Sequence, residues 1–308
     1  MDNVKIYFDE KLHKYTDEYG NTFTSVTTVI GKYVDEFDNQ SIARACERIG
    51  KNPNHPKYLK YKGKTAKQLL KQWEDETERA LAKGNNKHNY LEDAIKHSNN
   101  YKRVAGQFIK DRIFTIPDIV ENPIVGVVTI DRLVELGLDS KYPIIFNLID
   151  NFVQQGWKLY SEIGVYNLEL LISGLVDLLL VRDKEFIIID WKTNKAPIRF
   201  EAGYFEKDHN NEMTDQFIKT GKTLKYPINF MPASTGHKYG LQLSGYAYLI
   251  EQFGLTHKGT ILCHIRDIDD NTEKVELLPM TYHKLEISTL FEHHASNQTL
   301  NNQQKIFI

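Results

Sequence analysis

Between Ile172 and Asn194 two runs dominated by Ile, Leu and Val flank the charged tetrapeptide Arg182-Asp183-Lys184-Glu185. Apolar runs bounded by a polar turn predict a β-hairpin. A two-residue turn at Asp183-Lys184 sets Asp177 opposite Asp190, Val176 opposite Trp191, Leu178 opposite Ile189 and Leu180 opposite Ile187. Lys192 follows Asp190 by two residues and therefore shares its face. Both faces of the hairpin are largely apolar, so it belongs at the centre of a sheet, covered on both sides.

Elsewhere the pattern is mixed. Residues 4–30 predict short strands around the turn Tyr19-Gly20-Asn21, and Thr22 to Ile30 is rich in β-branched residues. The hydroxyl run Thr24 to Thr28 fits strand propensity together with a helix cap, or a phosphate contact. Residues 51–64 read as a Lys-, Pro- and Tyr-rich loop, either solvated or touching nucleic acid. Residues 65–97 predict two helices broken at Lys83-Gly84-Asn85. On the second, His88 and Glu92 share a face; taken alone, His88 reads first as a surface or capping histidine and second as a ligand. Ile124 to Val134 and Ile144 to Val153 fit strand or helix, with a helical stripe at Phe146, Ile149, Phe152 and Val153.

Residues 157–169 predict a strand with Glu162 inside it, either at an edge or in a site. Residues 196–240 read as a long irregular insertion carrying lysines and aromatics. Gly240 to Phe253 predicts a helix with Leu243, Ala247 and Ile250 on its core side and the neighbours Gln242 and Tyr246 on another. A last hairpin (260–265 with 274–278), a helix over 282–294 and a loose polar tail from Ser296 to Gln304 follow. No internal repeat is visible.

Composition narrows the function classes. The chain has 308 residues, 41% hydrophobic and 26% charged, with net charge −2, the profile of an ordinary globular protein. A polyanion site would have to be a local patch. Two cysteines, Cys46 and Cys263, are too few for a four-thiolate metal site or a disulfide framework. No apolar run approaches the ~20 residues of a membrane span, and the first residues lack a signal-peptide pattern. A cytoplasmic location without membrane partners is the expectation.

Two carboxylates directly opposite in a buried hairpin would have Cβ atoms ~5 Å apart and repel. A divalent cation between them removes the conflict, and Lys192 offsets part of the charge. Such a cation is hard and oxygen-ligated, Mg²⁺ or Mn²⁺, and the backbone carbonyl of Trp191 is a further oxygen donor. A divalent ion with a lysine beside a scissile group is the equipment of phosphodiester hydrolysis. The alternative is a surface hairpin with solvated acids.

The ordered set Glu162, Gly174-x-x-Asp177 and Asp190-x-Lys192 resembles the PD-(D/E)XK nuclease superfamily. Gly84-x-x-x-His88 upstream and Gln242-x-x-x-Tyr246 downstream are similar to the histidine and Gln-Tyr motifs of its RecB-like exonuclease branch. The likeness spans roughly residues 73–255. The segments TSVTTVIGKY and LKYP…KYGLQLSGYAYLIE are similar to bacteriophage members of that branch. The resemblance implies an α/β fold, a central mixed sheet flanked by helices with N-terminal elements and a long insertion. It implies segments at 1–72, 73–290 (with the insertion 196–240) and 291–308. It also implies catalytic roles for Glu162, Asp177, Asp190 and Lys192, and metal contacts from His88, Asp177, Asp190 and the Trp191 carbonyl. DNA contacts would come from Gln242, Tyr246, Lys222, Lys225 and Lys238. The implied activity is Mg²⁺- or Mn²⁺-dependent exonuclease cleavage of DNA, single-stranded or with free ends, in recombination, repair or replication. No iron–sulfur cluster is expected. A recombinase or single-strand-binding protein as partner, and self-association, stay open. So do an endonuclease on the same core and a non-catalytic DNA-binding protein.

Overall fold

The computed structural model describes residues 4–9, 12, 14–95, 111–208, 212–268 and 272–306; the side chains of 80, 81, 83–89, 92–95, 111 and 299–306 stand outside that description. Three short strands, β1 (Ile6–Asp9), β2 (Lys14–Asp17) and β3 (Thr22–Ser25), lead into helices α1 (Val26–Lys32), α2 (Asn39–Ile49), α3 (Tyr58–Tyr61) and α4 (Ala66–Ile95). Then come β4 (Asp111–Ile113), α5 (Ile116–Glu121), β5 (Val127–Val128), α6 (Ile130–Glu135), α7 (Leu138–Lys141) and α8 (Pro143–Gln154). The central strands are β6 (Lys158–Asn167), β7 (Ile172–Arg182) and β8 (Glu185–Lys192). After them lie the hairpin β9 (Gly203–Lys207) and β10 (Met213–Lys219), α9 (Thr235–Glu251), β11 (Thr256–Asp267), β12 (Glu273–Pro279) and α10 (Lys284–Ile306).

The fold is α/β, built on one mixed sheet ordered β12-β11-β8-β7-β3-β2-β1-β4, with β6 on the remaining edge of β7 and β5 beside β6. β11 runs parallel to β8 and β3 parallel to β7; the other pairs are antiparallel. β7 is the trunk of a fork. One edge carries β6 from Ile172 to Val181. The other carries β3 at Ile172 and Ser173 and β8 from Leu178 to Arg182. Gly174 to Asp177 lie where those two neighbours part.

The hairpin β7–β8 has the expected two-residue turn and register, Arg182↔Glu185 through Leu178↔Ile189. Asp183 takes φ 54° in the turn, a left-handed conformation that Asp tolerates better than most residues. The ladder stops one pair short of Asp177 and Asp190, so the expected pairs Asp177–Asp190 and Val176–Trp191 do not form.

Alternation along β8 splits its residues between two cores. Phe186 and Ile188 join α1, α5, α9 and α10 in one, and Ile187, Ile189 and Trp191 join α4, α6, α7 and α8 in the other. Helices thus cover both faces of the central strands, as strands apolar on both sides require. α9 approaches closely because of its small residues: a Cβ on Gly245 would lie 2.6 Å from Val26 Cγ1 and 3.1 Å from Phe291 Cζ.

Four expectations need correction. The helix over 65–97 is continuous through Lys83-Gly84-Asn85; one interior glycine costs about 1 kcal/mol, which thirty residues of helix absorb. The short strands expected over residues 4–30 end at Ser25, where the expected helix cap forms: its Oγ accepts from Thr28 N–H at 3.1 Å and Val26 to Lys32 are helical. The insertion holds the β9–β10 hairpin, and α9 starts at Thr235 instead of Gly240, capped by Ser234. The tail from Ser296 continues α10 to Ile306. In addition, α4 and α10 run straight through residues 72–73 and 290–291, and β3 joins the N-terminal strands to the main sheet.

Burial holds His237, His257, His283 and His294 below the ordinary histidine range; in His294, on α10, nearby Lys32 and His293 add to the effect and bring it to about 4. Unfolded histidines titrate near ~6.5. Between those values the unfolded chain binds protons that the folded chain refuses, so stability falls as pH falls. Urea midpoints are therefore expected to drop from pH 7 to pH 4.5. The slope against pH should be shallower in His294→Phe; an unchanged slope would remove His294 from the account.

Candidate functional site

On β6 and β7 the pairs Ser161↔Leu178 and Ile163↔Val176 place Glu162 directly across from Asp177, although no ladder pair forms there. Glu162 has φ 55°, a conformation that costs a non-glycine residue on the order of 1–3 kcal/mol. The in–out alternation changes phase at the same level in both strands. Tyr160 and Ile163 share one core, as do Val176 and Leu179, while Leu159 and Leu178 belong to the other. The coupled kink resembles a β-bulge, which re-aims side chains and ends pairing. Asp177 meets the parting of the strands with its side chain: Oδ2 accepts from the Trp191 backbone N–H at 3.0 Å. Glu162, Asp177 and Asp190 thus occupy neighbouring positions on three adjacent strands.

Asp190 is 1% exposed, and its Oδ2 lies 2.5 Å from Lys192 Nζ, which is 17% exposed. The two side chains share the α9 face, as their spacing predicts. Burial pulls the Lys192 ammonium toward deprotonation, but Asp190 and Asp177 outweigh it, and its pKa is raised. Lys192 Nζ sits 5.2 Å from the centre of the Tyr239 ring. The Tyr239 hydroxyl donates to Asn194 Oδ1 at 3.2 Å, and His264 Nε2–H donates to the Asn194 carbonyl at 2.8 Å. The strand end that carries Lys192 is therefore held from both α9 and β11.

Tyr246 explains why two of the motifs occur together. It is buried on α9, and Gln242 Nε2 donates to its hydroxyl at 3.0 Å. A Cβ on Gly174 would stand 2.4 Å from Tyr246 Cε1. Only glycine leaves room for this ring at the fork. Burial, then the charge of Asp190, pushes the Tyr246 hydroxyl well above the ordinary tyrosine range. Tyr15 of β2 is raised likewise, by burial first and then by Glu162 and Asp177. Two buried phenols, each a neutral donor, therefore border the carboxylates.

The remaining expected residues fall elsewhere. Lys222 and Lys225 are exposed on the segment leading into α9, and Lys238 is half-buried in the first turn of α9. Trp191 pairs with Cys263 of β11, so its peptide lies within the sheet. The His88 side chain lies outside the described residues. Cys46 and Cys263 are buried free thiols on separate elements. Among the described residues no group of three or more His, Cys, Asp or Glu side chains is gathered to hold a metal. The donor set still suits Mg²⁺ in kind, because that ion takes one or two carboxylates and completes its shell with water. The Trp191 N–H and Lys192 orient Asp177 and Asp190.

The sequence did not mark Tyr15, Asn194, Tyr239 or His264 as site residues. Asn194 follows Lys192 by two and Tyr239 precedes Gln242 by three, so adjacency to a motif was their one signal. Tyr15 and His264 carried none. No protein-family model matches the chain, and no curated protein matches it.

Gly174→Ala forces the Tyr246 ring to move, an overpacking expected to cost roughly 1–3 kcal/mol. The double variant Gly174→Ala/Tyr246→Leu should lose less stability in urea than the sum of the two single changes. Additive losses would mean that the two residues do not meet.

Proposed function

We propose that the protein is a metal-dependent deoxyribonuclease of the PD-(D/E)XK type, acting as an exonuclease on DNA in recombination, repair or replication. The observation that carries this reading is the placement of Asp177 and Asp190 at the fork of β7, with Lys192 held 2.5 Å from Asp190. Asp177 and Asp190 would hold Mg²⁺ or Mn²⁺, with Glu162 beside them. When bound, the ion supplies charge neutralisation at the phosphate and a more acidic water.

The chain's own residues set the rest. Lys192 is paired with Asp190 at 2.5 Å. Its ammonium neutralises one carboxylate and would donate to a phosphate oxygen as negative charge develops there, the kind of preorganised donor whose removal costs ~10²–10³ in rate. Tyr239 backs the lysine, and Asn194 fixes Tyr239. Tyr246 and Tyr15 keep water from one side of the carboxylates, which strengthens every charge interaction there. Glu162, across from Asp177, would accept a proton from an attacking water. Lys222, Lys225 and Lys238 would contact the DNA backbone, and His88 would complete the metal shell.

Asp190→Asn and Lys192→Ala should each lower cleavage of end-labelled linear DNA with Mg²⁺ by at least about a hundredfold while circular dichroism stays native. Full activity in either variant would overturn the assignment. Removing one member of a buried pair costs ~3–5 kcal/mol, so the folding control is part of the test. Cutting of closed circular DNA would indicate an endonuclease; wild-type protein inert on single- and double-stranded DNA with either ion would indicate a non-catalytic binder. His88→Ala should weaken Mn²⁺ binding in calorimetry, and unchanged affinity would remove His88 from the metal shell.

A further inference from the structure

The segment between β10 and α9, residues 220–234, is built to hold aromatic rings outward. Its apolar residues divide in two. Leu224, Ile228 and Met231 are buried in the core shared with α9, whereas Tyr226 and Phe230 are 70% and 67% exposed. The backbone between them is pinned: Leu224 N–H donates to the Met231 carbonyl at 2.9 Å, Ala233 N–H to Lys222 at 2.9 Å, and Lys225 N–H to Tyr33 at 2.8 Å. The Tyr226 ring stands edge-on to His293 of α10 with centres 5.4 Å apart, and the Tyr33 hydroxyl lies 2.8 Å from His293 Nδ1. Two large rings in water are thus presented by a fixed loop.

The formal charge along this stretch of sequence has one sign, with Lys219 paired to Glu201. From Gln216 to Ile250 the chain contains Lys219, Lys222, Lys225 and Lys238 and no Asp or Glu, in a protein of net charge −2. Lys222 and Lys225 are exposed on the same loop. The loop runs directly into the Ser234 cap of α9, and Tyr239, which backs Lys192, follows five residues on, ~7.5 Å along the helix axis.

Exposed ring faces beside lysines fit a partner with flat faces on a polyanionic backbone. Unpaired nucleotides have both; a duplex buries its base faces in its own stack. We infer that residues 222–230 form a stacking platform for single-stranded nucleic acid, Tyr226 and Phe230 taking bases and Lys222 and Lys225 the neighbouring phosphates. Delivery of that strand to Asp177, Asp190 and Lys192 rests on the nuclease reading above; the binding itself does not.

The test is anisotropy titration of the full chain in EDTA at fixed salt, with a fluorescent oligothymidylate and a blunt duplex of equal length. Stacking contacts of this kind predict a loss of roughly tenfold or more in single-strand affinity for Tyr226→Ala/Phe230→Ala, and a loss under threefold for the duplex. Phe230→Trp should keep the affinity, and the oligonucleotide should quench its added fluorescence. Single-strand affinity unchanged in the double alanine variant, an equal loss for both DNAs, or no single-strand binding by the wild type would each overturn the platform; the first would point to a protein partner for the rings. Cleavage with Mg²⁺ separates the two ideas. Wild-type protein that binds through the loop and never cuts defeats the nuclease reading alone. Alanine variants that bind and cut single strands like the wild type defeat the platform alone.

Discussion

Acid placed on three adjacent strands of a buried sheet is the constraint to which the rest of the structure answers. Like charges at neighbouring strand positions repel, and burial in low dielectric makes the repulsion worse. The fold offsets this in several ways. Lys192 comes from the next position on the same face of β8 and meets Asp190. The Trp191 N–H, released where β8 leaves β7, meets Asp177. Glu162 takes a left-handed backbone, and both strands change phase at its level. Each arrangement gives up something a plain sheet would keep, a ladder pair or a relaxed dihedral, in favour of where a carboxylate points.

The fork in the sheet makes this possible. β7 is shared on one edge by β3 and β8, and the gap between them is where Gly174 and Asp177 lie. Tyr246 of α9 covers the gap from one face, admitted by Gly174. Tyr15 reaches the same carboxylates from β2, so the N-terminal strands, the fork and α9 form one assembly. The loop before α9 then sets Tyr226 and Phe230 outward and Tyr239 inward within fourteen residues. The two exposed rings and the tyrosine beside Lys192 are thereby mounted on one continuous stretch.

What the sequence revealed follows the range of the forces involved. The β7–β8 register was legible because a short turn and period-2 alternation are local, and the shared face of Asp190 and Lys192 came with it. The local rule failed one pair later, where the Asp177 side chain accepts from the Trp191 N–H and no further ladder pair forms. The Gly84 break was misread because helix continuation is decided by the whole of α4 and one glycine weighs little against it. The β9–β10 hairpin was hidden in the insertion because its strands are short and half exposed, without a strong alternating pattern. Tyr15 could not be found at all: its role depends on β2 reaching the main sheet through β3, and nothing near residue 15 encodes that. Gln242 and Tyr246 were legible as helical neighbours, but the reason for them, the space above Gly174, is a tertiary fact.

The central claim is that Asp177 and Asp190 form the protein's half of a divalent-cation site. Anomalous diffraction at the manganese edge, from crystals of the full chain soaked in Mn²⁺, addresses it without reference to any activity. The account predicts a peak within coordination distance of a carboxylate oxygen from each of the two aspartates, and its loss in Asp190→Asn. Density confined to surface acids, with the Asp177–Asp190 position empty at saturating Mn²⁺, would contradict it.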